Sequence, residues 1–239
     1  MRRPRGEHSA SLSALLDHLD SVGFPAPVPL GTDADGRGVY RWIEGEVAVP
    51  PYPAWSLEDR TLAGVGKLLR RYHDAVRRFR PATDARWSDE LADPAGGPIL
   101  CHNDVCPENV VFRAHDAVAL LDFDFAAPGR PVWDLAATAR LWIPLWPPSL
   151  TDTPSHPDGF RRLRVLAEAY CLSPDNNEQL VDAIIENKRI GSAFVRNRAR
   201  AQEPAFVAMW EQRGGEAGDA RIVEWFEANR EVFLEALRG

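Results

Sequence analysis

The chain has 239 residues, enough for one large domain or two small lobes around a sizeable core. Its 45% hydrophobic and 26% charged content is that of an ordinary globular protein, and a net charge of −7 argues against broad binding to nucleic acid or anionic membranes. Cys101, Cys106 and Cys171 form neither a disulfide framework nor a zinc-ligand spacing. No apolar run is long enough to span a bilayer, and none follows the basic start Met1–Glu7, so a cytoplasmic location is expected.

The spacing predicts a first helix over 9–22, with Ser9 or Ser11 as cap, a stripe of Leu12, Leu15, Leu16 and Leu19, and Gly23 as the stop. After an extended Pro-rich stretch, Leu30-Gly31 and Val39–Ile43 read as two strands around an Asp-Gly turn. Residues 47–55, with Pro50, Pro51 and Pro53, read as a linker. Ser56–Asp59 resembles a capping box opening a long helix to about Arg80, with Leu62, Val65, Leu68, Leu69, Tyr72 and Val76 on its apolar face. Strands are expected at 99–101, 110–113 and 118–121, the last two joined by a turn at His115-Asp116. The remainder reads as helices at 133–142, 159–171, 178–200, 204–213 and 220–237, with Ser173 and Asp219 as caps and a Pro-rich connection over 144–158.

Chemistry concentrates at two places. An apolar strand delivers His102, Asp104 and Asn109 on a short loop, and a second strand ends in Asp122-Phe123-Asp124, 13 residues after Asn109. Carboxylate and amide oxygens on loops between buried strands suit Mg²⁺, which prefers oxygen ligands and accompanies phosphates.

The pattern His-x-Asp-x-x-x-x-Asn, then Leu-Asp-Phe-Asp, resembles that of the aminoglycoside phosphotransferase and choline kinase family, distant relatives of the protein kinases. The resemblance implies an α+β, protein-kinase-like two-lobed fold. Residues 1–46 would form a shortened first lobe carrying β-strands, and 47–239 a mostly helical second lobe. It implies transfer of the γ-phosphate of ATP to a hydroxyl of a small molecule, with ATP and Mg²⁺ as cofactors. Asp104 would accept or orient the hydroxyl proton, and Asn109 and Asp122 would hold the metal, with Asp124 as a further contact. His102 is grouped with the catalytic residues, mainly to brace the loop. Asp134, in a family-like Asp-Leu-Ala segment, would tie the loop down, its plain alternative being an acid favoured by a helix N-terminus. Arg41 and Trp42 fall at the hinge that meets the adenine edge.

Complete relatives begin with strands bearing a phosphate-covering loop and a basic residue, usually Lys. Here only two of 28 basic residues are lysines, Lys67 and Lys188, so Arg3 is the expected stand-in, with different hydrogen-bonding geometry. A short first lobe also implies an exposed sheet edge and a homodimer formed through it. The alternative function is a catalytically impaired nucleotide-binding or interaction protein of the same fold. The acids of the later helices, Glu178, Asp182, Glu186, Glu203 and Glu211, read as solvated faces ahead of a pocket for an amine.

Overall fold

The computed structural model describes residues 6–143, 145, 147 and 159–238, together with the backbone of Arg2 and Arg3. The expected connection over 144–158 therefore lies almost wholly outside the described residues.

The leucine stripe forms α1 (Ser9–Ser21), which buries Leu15, Leu16 and Leu19. Neither serine caps it. His8 holds the N-cap position, Ser9 Oγ bonds Gly6 instead, and Ser11 Oγ accepts the Arg86 N–H at 2.9 Å. Gly23 ends the helix at φ +73°, where a side chain would be strained. A three-stranded antiparallel sheet follows in the order β1 (Arg2–Arg3), β3 (Gly38–Tyr40), β2 (Pro29–Thr32). The turn between β2 and β3 is closed by Asp33 Oδ1, which accepts the N–H groups of Asp35 and Arg37.

Beyond β3 the chain crosses to the second lobe, where Glu46 exchanges two main-chain hydrogen bonds with Phe112. Gly45 permits that approach, because a Cβ there would lie 2.6 Å from the Phe112 carbonyl oxygen. The expected capping box does not form. Ser56 Oγ donates to Pro53 O within a 3-10 turn (Ala54–Leu57), and α2 runs Asp59–Val76 with Glu58 at its N-cap. Its apolar face is wholly buried and packs on α4 (Gly159–Tyr170).

The second lobe carries two antiparallel strand pairs, β4 (Ile99–Cys101) with β7 (Ala127–Gly129) and the hairpin β5 (Val110–Arg113) with β6 (Asp116–Leu120). Strand β7 has no signal of its own in the sequence. The β5–β6 turn is Ala114-His115, both at positive φ, one residue earlier than expected. Stacking of His115 on Trp55 helps hold this conformation. Helices α3 (Pro131–Trp142), α5 (Asn177–Arg200), α6 (Pro204–Gln212), α7 (Gly215–Ala228) and α8 (Arg230–Arg238) complete the lobe, with α3 packed on α5.

Two expectations fail here. The single final helix is two, because the Asn229 side chain donates to Trp225 O at 2.7 Å and breaks it, so that Phe226 and Phe233 stack 5.6 Å apart. Asp219 is also no cap; it lies buried inside α7, accepting Ser192 Oγ–H at 2.6 Å. One apolar core joins Leu15 and Leu19 of the first lobe to Leu69, Phe112, Trp133 and Leu163 of the second. Among the described residues no helix is long and apolar enough to cross a membrane.

Candidate active site

Strand β4 is buried along its length and ends by presenting His102 to a carboxylate at the start of α3. Pro131 opens that helix, its fixed φ suiting the first helical turn, and places Asp134 fully buried behind the loop. Asp134 accepts the main-chain N–H groups of His102 (2.7 Å) and Asn103 (2.8 Å) and the Nε2–H of His73 (3.0 Å). His73 is fixed in turn by the Tyr170 hydroxyl at 2.7 Å. Burial raises the Asp134 carboxyl, but the bonds from His73 and His102 outweigh it and hold the group below the usual carboxylate range. Asn103 sits at φ +65°, a conformation that turns successive N–H groups toward one acceptor. The helix-dipole reading of Asp134 is too weak for what is seen: the carboxylate anchors the loop.

His102 is also fully buried. Its Nε2 donates to Leu121 O (2.9 Å), and its Nδ1 accepts the Asp104 N–H (3.3 Å). The ring thus spans the two functional strands with both nitrogens committed, one to each.

Asp104 lies one step toward solvent. Asn109 Nδ2 donates to both its main-chain oxygen (2.9 Å) and its Oδ2 (2.8 Å), so the amide nitrogen is committed and the amide oxygen is left for other partners. Burial pushes the Asp104 carboxyl up and the charge of Asp122 adds to this, against the opposing effects of His102, Arg140 and Asn109; the net shift is upward. Asp122 therefore faces Asp104 closely enough to repel it. Its backbone is held at φ +57°, and the Leu121 N–H donates to Asn109 O at 2.8 Å, locking the two loops in register. A non-glycine residue in this region stores strain of order 1–3 kcal/mol, which the surrounding bonds offset.

Asp122 and Asp124 line a small pocket with Tyr40, Leu12 and Leu16. Arg41 and Trp42 do not join them. They line a separate cleft of about 450 Å³ with residues 23–26 and Val28, the Trp42 ring being 72% exposed. The strand ends at Tyr40, which faces Leu12 and Leu16 of α1, whereas Arg41 reaches the far end of that helix, 3.9 Å from Asp20. Arg3 lies on β1 opposite Gly38, and its side chain lies outside the described residues. Sequence reasoning missed His73, Tyr170 and Arg140. His73 and Tyr170 come from helices distant in sequence and Arg140 from the far end of the helix that carries Asp134, and no local motif marks them.

A model of the phosphotransferase enzyme family matches residues 78–166, which span this loop, the Asp122 strand and Asp134. The trifolitoxin immunity protein of Rhizobium leguminosarum bv. trifolii is 30% identical over 225 residues, covering 88% of this chain and 85% of that protein. The chain belongs to the phosphotransferase enzyme family. Among solved structures it resembles a choline/ethanolamine kinase family protein from Mesorhizobium loti, with TM-score 0.61 and 18% identity, covering 96% of this chain and 82% of that one. It also resembles the GDP complex of aminoglycoside 2′-phosphotransferase-IIIa, with TM-score 0.54 and 14% identity, covering 95% and 85%. At these identities the two structures speak for the fold: kinase-like, with a small sheet-bearing lobe in front of a helical one.

Proposed function

We propose that this family member is a Mg²⁺- and ATP-dependent phosphotransferase acting on a hydroxyl of a small molecule. The observation that carries the reading is the mutual placement of Asp104, Asn109 and Asp122 on two loops locked together through His102 and Leu121. Asp104 orients the acceptor hydroxyl and takes its proton; burial keeps its carboxyl above the usual range, which favours proton uptake. His102 acts through the loop as a positioning residue.

The donor set fits a hard cation. Asp122, Asp124 and the Asn109 amide offer only oxygen, and the repulsion between Asp122 and Asp104 is the kind a divalent ion relieves. Among the described residues no three His, Cys, Asp or Glu side chains gather to hold a metal alone. Asn109 and oxygens of phosphate or water must then complete the shell, as is usual for Mg²⁺. Bound there with the nucleotide, Mg²⁺ would neutralise the triphosphate. Residues 1–46 supply the nucleotide side, with hinge main chain at Arg41 and Trp42 for the base and Arg3 for the phosphates.

The test is release of ADP, or GDP from GTP, by the purified chain with a panel of hydroxyl compounds, beside Asp104→Ala. A wild-type rate in Asp104→Ala would remove that residue from the chemistry. Absence of any nucleotide-dependent thermal stabilisation with Mg²⁺ would sink the reading altogether. The similarity to the trifolitoxin immunity protein favours a second reading, a protein of the same fold that protects by binding a partner without turnover. In that case Asp104→Ala would leave protection intact.

A further inference from the structure

Asp134 divides its two oxygens between consecutive residues of the loop. Its Oδ2 accepts the main-chain N–H of His102, and its Oδ1 accepts that of Asn103. The side chains of the same two residues reach across to the stretch that carries Asp122 and Asp124. His102 Nε2 donates to Leu121 O at 2.9 Å, just upstream of the two acids. Asn103 Nδ2 donates to Phe125 O at 2.9 Å, just downstream of them. Asp122-Phe123-Asp124 is thus held at both ends by neighbouring residues of one loop.

The downstream end is a turn. The Ala126 N–H donates to Phe123 O at 2.9 Å, which puts Asp124 and Phe125 at the tip. Asp124 is exposed there, whereas the Phe125 ring stands edge-on to Phe194 of α5, with 5.5 Å between centres. The Asn103 bond therefore fixes the main chain from which the Asp124 carboxylate projects.

The residue type at 103 fits this task. Its backbone lies at φ +65°, a conformation that glycine adopts freely and that asparagine and aspartate tolerate. Of those three, asparagine alone carries a side-chain donor. Phe125 O can only accept, so the amide atom that faces it is the nitrogen. The side chain is 1% exposed, and in so dry a place a well-aligned hydrogen bond is strong.

We infer that Asn103 is a positioning residue for the divalent ion. By holding the tip of the Phe123–Ala126 turn it sets how the Asp122 and Asp124 carboxylates, which line one pocket, are presented to the metal. The metal role rests on the transferase reading, whereas the hold on the turn can be measured without metal or nucleotide.

Asn103→Gly keeps the backbone conformation and removes the donor. Asn103→Ser, whose hydroxyl ends one bond short of Nδ2, serves as the second variant if the first fails to fold. In the full chain without ligands, hydrogen–deuterium exchange over 121–127 should be about tenfold faster in either variant, with α2 and α3 unchanged. The Kd of Mn²⁺, titrated calorimetrically with saturating ADP present, should rise roughly 10- to 100-fold, the usual effect of losing a group that orients a metal ligand. The Kd of ADP without metal should stay within about twofold. Under turnover, half-saturation by Mg²⁺ should rise by more than kcat falls. Faster exchange spread over α2 and α3 would make Asn103 a residue of the general fold and overturn the inference. Unchanged exchange over 121–127, or a Mn²⁺ Kd within twofold of the wild type, would overturn it as well, and either leaves the transferase reading standing. Absence of Mn²⁺ binding by the wild type with ADP would sink the transferase reading, and the metal role of Asn103 with it.

Discussion

The catalytic loop and the first-lobe sheet are built by opposite means. Strand β4 is wholly buried, β5 is buried at three of its four residues, and Asp134 ties the end of β4 to α2 with three charge-assisted hydrogen bonds. In the sheet, three of the four residues of β2 are exposed, and Leu30 shows 58% of its surface. That lobe is held from behind, by α1 packed on α2 with His18 bonded to Ala75 O, and at the hinge by Glu46 and Phe112. Half of the proposed site is therefore pre-set by buried polar groups, and the other half is a thin layer over a shared core. Perturbations should divide the same way, large in the loop and small in the sheet.

The largest effect falls on chemistry. Asp104→Ala should lower the transfer rate by about 10²–10⁴-fold, the usual worth of a positioned general base, while Mg·ATP still shifts the melting temperature. Asp104→Asn sharpens the contrast. The folded carboxyl is raised, so its ionised form weighs against the fold near neutral pH; the neutral amide removes that burden and can still accept from Asn109. This variant should be inactive yet melt about 1–3 °C higher. A lower melting temperature would show that the Asp104 charge supports the loop.

Asp134→Ala should cost about 3–5 kcal/mol in denaturant unfolding, since it strands the N–H groups of His102, Asn103 and His73 in a dry interior. Asp134 also fixes the sign of the acid response. Its folded-state carboxyl lies below the unfolded value of about 3.9, so its stabilisation is complete above that pH and is lost as pH falls through the folded value. The wild type should lose stability steeply on the acid side, and the variant should lose less over the same range. Parallel acid limbs would mean that other carboxylates dominate.

The same contrast governs what could be read from the sequence. His102, Asp104, Asn109, Asp122 and Asp134 were legible because a short loop between apolar strands fixes their spacing within one stretch of chain. Their partners were not. His73 and Tyr170 meet Asp134 only when α2 and α4 pack, and Arg140 meets Asn187 only when α3 lies on α5. Arg41 and Trp42 were expected at the hinge; the pocket beside Asp122 goes to Tyr40, and these two line a separate cleft with Asp20. Asp219 read as a cap because its partner, Ser192, lies 27 residues away on another helix. Local competition between side chain and backbone, as at Asn229 and Ser56, decided the element ends that periodicity misplaced.

The smallest predicted change in stability is in the sheet. Among the described residues strand β2 is an edge, since the order is β1-β3-β2, and Leu30 projects from it into solvent. An exposed apolar side chain contributes little to the fold, so Leu30→Lys should alter the unfolding free energy by less than about 0.5 kcal/mol. A sheet edge invites another strand, and a lysine there opposes it. We propose that the chain pairs through this edge with a second copy of itself, and the same substitution then separates two contributions. Light scattering should show a concentration-dependent dimer in the wild type and a monomer in Leu30→Lys, at nearly equal unfolding free energy. A monomeric wild type, or a dimer that survives the lysine, would remove the edge as the interface. A loss of several kcal/mol would show that the sheet is integral to the core, and the contrast between the two regions would fail.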